Sequence, residues 1–85
     1  MTVSVTPDTI ERELVEFLET RTKAGWTATR DLFGEGGLSS LFAMELVVHL
    51  EQRYGIAISG ADLKLANFRT VRAMVELVVR LRDGG

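Results

Sequence analysis

Gly36-Gly37-Leu38-Ser39-Ser40-Leu41-Phe42-Ala43-Met44-Glu45-Leu46-Val47 runs a glycine-rich loop straight into a segment of helical periodicity. From Ser40 to Tyr54 the residues Ala43, Leu46, Val47, Leu50 and Tyr54 fall within about 100° of arc, the apolar stripe of a bundle helix. Gly55 follows as its C-cap. A second apolar sector, Leu41, Met44 and Val48, lies on another side of the same helix, beside Glu45 and Gln52, with Glu51 at its edge. Met44 is expected to pack on the loop or on a short helix.

Upstream, residues 23–39 have no helical period and hold Gly25, Gly34, Gly36 and Gly37. A structureless stretch of that length in a compact domain tends to be functional. Trp26, Leu32 and Phe33 are the residues expected to pin it to the core. Before it, Thr6 is an N-cap, Pro7 suits the first helical position, and Asp8 and Glu11 complement the positive end of the dipole. Ile10, Leu14, Phe17 and Leu18 then share one face, and the first helix should end between Arg21 and Gly25. Downstream, residues 59–68 predict a short helix around Ala61-Asp62-Leu63, with Ser59 as its cap. Thr70 starts a last helix whose stripe is Val71, Met74, Val75, Val78 and Leu81, closed by Arg80, Arg82 and a terminal glycine pair. Ile56-Ala57-Ile58 is the one short strand-like alternation. The expected fold is all-α: a four-helix bundle of three long helices and one short one, with a long loop between the first two.

The bulk properties narrow the function. Eighty-five residues make one domain, 1–85, with one modest core. No cysteine is present, so disulfides and thiolate metal sites are excluded, and one histidine cannot assemble a usual zinc site. The net charge of −2 gives no general attraction to nucleic acid or anionic membrane. Residues 1–61 carry nine acids and five bases, and residues 62–85 three acids and five bases. Apolar runs stop at four residues, far short of a membrane span. Met1 to Thr9 has neither a basic nor an apolar signal region, and a cytoplasmic monomer is expected.

Two serines stand where the glycine-rich loop enters the helix. A helix N-terminus carries unsatisfied N–H groups and partial positive charge, which favour a bound or attached phosphate. Ser39 and Ser40 can equally be plain caps, and composition alone favours the caps. A serine nucleophile needs a base within reach, and His49 is nine residues along the same helix, about 13 Å away. His49 is therefore expected on a solvated or partner-facing side with no catalytic role.

Asp31-Leu32-Phe33, Gly37-Leu38-Ser39-Ser40-Leu41, Glu45-Leu46-Val47, Tyr54-Gly55-Ile56 and Thr70-Val71, in this order and spacing, resemble the acyl carrier protein family over nearly the whole chain. The resemblance implies that Ser40, followed by Leu41, bears a covalent 4′-phosphopantetheine arm taken from coenzyme A. Ser39 stands where the family usually has Asp, so it is the neighbouring acceptor candidate, and the register of Leu41 and Glu45 selects Ser40. The implied partners are a phosphopantetheinyl transferase and acyl-loading, acyl-transfer or condensing enzymes, docking on Leu41, Glu45, Val48 and Glu51. Such a chain is not itself an enzyme. Arg53, Lys64, Arg69 and Arg72 leave its surface less acidic than that of many fatty-acid carriers, which implies dedicated partners.

The stretch Gly37 to Val48 is similar to discrete carriers of specialised polyketide or hybrid peptide pathways, some of which hold extender units such as methoxymalonyl. A peptidyl or aminoacyl carrier is the nearest alternative. A helix-turn-helix DNA binder would need a basic recognition helix, which Glu45 and Glu51 oppose. A plain helical interaction domain would leave the Gly-Gly-Leu-Ser-Ser junction without a purpose.

Overall fold

The computed structural model describes residues 6–84. The readings made for residues 1–5 and for Gly85 lie outside the described residues. Three α-helices are present among them: α1 (Pro7–Thr22), α2 (Phe42–Tyr54) and α3 (Val71–Gly84). No described residue is in a strand, and no helix among them is long and apolar enough to cross a membrane.

Helix α1 starts as its sequence directs. Thr6 is extended, its Oγ1 accepts from Thr9 N–H, and Pro7 opens the first turn. The helix closes on Lys23, whose left-handed backbone lets its N–H donate to Glu19 C=O. Ile10, Leu14 and Leu18 are fully buried, whereas Phe17 is half-buried and turned towards α2. In α3 the expected Val71, Met74, Val75 and Val78 are buried, Leu81 is half-buried, and Leu77 joins the core. Helices α1 and α3 form the main packed pair. Leu46, Val47, Leu50 and Tyr54 of α2 complete the core with Trp26, Leu32, Ile58 and Phe68.

Two expectations are corrected. Among the described residues no fourth α-helix forms, although short helical turns stand where the short helix was expected. Residues 59–68 instead form two 3₁₀ turns, Gly60–Asp62 and Leu65–Phe68, and Ser59 makes no side-chain cap bond. Three residues and then four cannot bury a face as a helix does, so the single side chain buried there is Phe68, while Leu63 and Leu65 stay exposed. Helix α2 begins at Phe42, two residues later than predicted, because residues 39–44 make the tighter i→i+3 bonds of a 3₁₀ turn.

The long loop is shaped by backbone bonds to its surroundings. Leu32 N–H donates to Arg69 C=O and Arg72 N–H to Ala28 C=O, which stitches the loop to the start of α3. Trp26 and Leu32 are buried and Phe33 half-buried, as the sequence suggested.

Candidate functional site

Asp31 organises the approach to the serines. Its Oδ1 accepts from the N–H groups of Phe33 and Gly34, and its Oδ2 pairs with Arg69 at 3.1 Å. The Gly34 N–H bond is the main force holding this carboxyl below its usual range, helped by Phe33 and Arg69. The chain then turns back: Gly36 N–H donates to Asp31 C=O and Leu38 N–H to Leu32 C=O. Gly36 lies against Trp26, and Gly37 takes the positive φ of 70° that turns the chain towards α2.

The two serines then part in role. Ser39 Oγ accepts from Leu41 N–H at 3.1 Å. Ser40 is exposed, and its hydroxyl has no hydrogen-bond partner among the described residues. The N–H groups of Phe42, Ala43 and Met44 are taken by the carbonyls of Ser39, Ser40 and Leu41. The helix start therefore offers fewer free N–H groups than the sequence suggested, and what it offers is an accessible hydroxyl. That suits covalent attachment of a phosphate-linked group, since the oxygen is unencumbered and nothing has to be broken to reach it.

Beyond Ser40, Leu41 is 79% exposed, Met44 61% and Val48 49%. Met44, expected to pack on the loop or on a short helix, is largely exposed and only borders Leu63, Leu65 and Phe68 of the 3₁₀ segment. Glu45 is exposed on the same side and is paired with Arg21 of α1. Glu51 is set apart from these residues: it is half-buried, and its carboxylate accepts from Ile58 N–H at 2.8 Å, fastening the segment after α2.

Between α1 and α2 runs a seam that sequence reasoning missed. Arg21 meets Glu45, Phe17 stacks on His49 at 3.9 Å, and Arg53 and the Tyr54 hydroxyl bind Glu13. Each step of four residues down α1 is matched by a step of four up α2, the antiparallel register of two helix faces. The paired spacing of Glu13, Phe17 and Arg21 with Glu45, His49 and Arg53 was the available signal. His49 is consequently half-buried rather than solvated; burial first, then Arg21 and Arg53, push its pKa below 6.5, with Glu13 opposing. Above the seam lies an open groove of about 430 Å³ lined by Phe17, Arg21, Met44, Glu45, Val48 and His49, with Gln52 at its end. A smaller cleft of about 140 Å³ lies on the other side of Met44, against Ala43, Val47, Leu63, Leu65 and Phe68. Among the described residues, no group of three or more His, Cys, Asp or Glu is placed to hold a metal ion.

A loop pinned by Asp31, delivering a free serine hydroxyl to the start of a helix, can be compared with known families. Residues 8–78 match the family described as "Phosphopantetheine attachment site". The chain belongs to that family. It is a phosphopantetheine carrier domain, a non-catalytic domain whose cofactor is covalently attached 4′-phosphopantetheine. Carrier domains in general work with phosphopantetheinyl transferases and acyl-handling enzymes. Comparison of this carrier domain with curated proteins and with solved structures gives no match.

Proposed function

We propose that Ser40 bears the arm and that the chain is an acyl carrier protein of a specialised polyketide or hybrid polyketide/peptide pathway. The observation that carries the site is the division of labour between adjacent serines: Ser39 is held by Leu41 N–H, and Ser40 is exposed and unengaged. Ser40 Oγ attacks the pantetheine-side phosphorus of coenzyme A, the phosphodiester forms as the phosphoanhydride bond breaks and adenosine 3′,5′-bisphosphate leaves, and the hydroxyl proton passes to a base that the transferase supplies. When bound, the arm ends in a thiol that holds acyl groups as thioesters. The similarity of the Gly37–Val48 stretch to discrete polyketide carriers supports the pathway and an extender unit such as methoxymalonyl as cargo.

Incubation with coenzyme A and a broad-specificity phosphopantetheinyl transferase, followed by intact mass, tests the site. The parent and Ser39→Ala gain the mass of the arm, and Ser40→Ala does not. A gain retained in Ser40→Ala and lost in Ser39→Ala moves the site by one residue.

Leu41, Glu45 and Val48 form the partner-docking face of a cytoplasmic monomer; Glu51, expected there too, is set apart with its carboxylate held by Ile58 N–H. Their exposure supports this for the two apolar residues. Glu45 meets a partner's cations in competition with Arg21. Glu45→Lys is expected to slow acyl transfer by partner enzymes at least several-fold while the far-UV circular dichroism stays unchanged. Equal transfer rates with each native partner would remove Glu45 from the face.

A further inference from the structure

We infer that Arg21 sets which partners the α2 face accepts, favouring one that docks by apolar contact over one that docks by positive charge, a role that rests on docking at that face.

Charge around the face is the first support. Leu41, Met44 and Val48 stand three and four positions apart at the start of α2, so they share one side, with Glu45 among them. Helix α2 holds two acids, Glu45 and Glu51, and Glu51 is turned to Ile58 N–H. Glu45 is thus the one carboxylate of α2 left to meet a partner, and Arg21 already holds it. Lys64 borders Met44 on the other side. Two cations, Arg21 and Lys64, therefore flank the apolar patch against one acid, and that acid is engaged.

The placement of Arg21 is the second. Its guanidinium lies over the Phe17 ring at 4.9 Å, and Phe17 is itself stacked on His49. The last turn of α1 also suits a cation. Arg21 is held at Glu45 from its own helix rather than reaching in from solvent.

Both side chains of the pair are about half exposed, so a partner can reach them. An ion pair of this kind shifts an equilibrium only about two- to fivefold. A partner's Lys or Arg can displace Arg21, but it must overcome that pairing and then faces the freed guanidinium as a like charge. A partner that brings apolar side chains to Leu41, Met44 and Val48 meets no such obstacle, and salt does little to screen its binding.

The test measures initial rates of arm attachment by a broad-specificity phosphopantetheinyl transferase with the carrier as varied substrate. It compares about 0.05 M with about 0.5 M sodium chloride. At about pH 8 His49, whose pKa lies below 6.5, stays neutral in every variant. The parent KM should change little with salt. Arg21→Gln should lower KM about two- to fivefold at low salt with kcat unchanged, and that gain should vanish at high salt. Arg21→Lys, which keeps the charge, should behave as the parent. In a Glu45→Gln background Arg21→Gln should lower KM by less. A merely structural Arg21 would move the thermal midpoint and leave the salt response as it was. An unchanged or raised KM in Arg21→Gln, an equal fall in the Glu45→Gln background, or a steep salt dependence of the parent overturns the role of Arg21. If Leu41→Ala and Val48→Ala still raise KM, the face itself stands. If neither of them changes KM, the docking reading fails and this role falls with it.

Discussion

At Gly36 a methyl group would lie 2.4 Å from Cη2 of Trp26 and 2.5 Å from the Leu32 carbonyl oxygen. The ring could shift, but the carbonyl belongs to the backbone and already accepts from Leu38 N–H. Gly36→Ala is therefore expected to cost about 1–3 kcal/mol. At roughly 4–8 °C per kcal/mol for a domain of this size, a thermal melt will show it clearly. A midpoint within about 1 °C of the parent would mean the loop yields freely there. The same residue shows how a motif can be recognised before its physics is. The Gly36-Gly37 pair reads in sequence as a phosphate-binding lead into a helix, whereas in the fold Gly36 makes room for an indole and Gly37 supplies a turn. The separation of Ser39 from Ser40 was likewise beyond the sequence, since either hydroxyl can cap and only the backbone path decides which one does.

Helices α1 and α3 were legible because their apolar residues recur at the helical period and meet each other directly. The seam of α1 with α2 was hidden because its partners are polar or aromatic and lie 24 to 41 positions apart. The linker misled for a different reason: its sequence suggests a short helix around Ala61-Asp62-Leu63, yet Ala61 and Leu63 stay exposed and give such a helix no face to bury. The seam has a defined response to acid. Burial works against the Glu13 carboxylate, but the Tyr54 hydroxyl and Arg53 outweigh it and hold its pKa below the ordinary 4.5. Its contribution is complete above 4.5 and fades as pH falls through the lower folded-state value. His49, depressed below 6.5, protonates more readily in the unfolded chain, so stability also declines as pH falls from 6.5. Denaturant midpoints measured against pH should thus show two descending limbs. His49→Gln should flatten the upper one and Glu13→Gln the lower, and a single limb unaffected by either variant would disprove the assignment.

Across the whole molecule, one core joins α1, α3, the inner face of α2 and the anchors Trp26, Leu32, Ile58 and Phe68. Met74 is fully buried within it. Met74→Ala should cost about 2–5 kcal/mol, a large part of the roughly 5–15 kcal/mol that holds a small domain together. The denaturant midpoint should fall without a change in slope; a lower slope would instead signal loss of cooperativity. The single tryptophan makes this easy to follow. Trp26 is buried, its indole N–H donates to Thr22, and the Arg30 guanidinium lies over its ring at 4.5 Å. The chain thereby carries its own fluorophore at the root of the loop that presents Ser40. Its emission should be blue-shifted while the loop is docked. A red shift with unchanged ellipticity would record the loop leaving the bundle, and coincident changes would record the bundle itself coming apart.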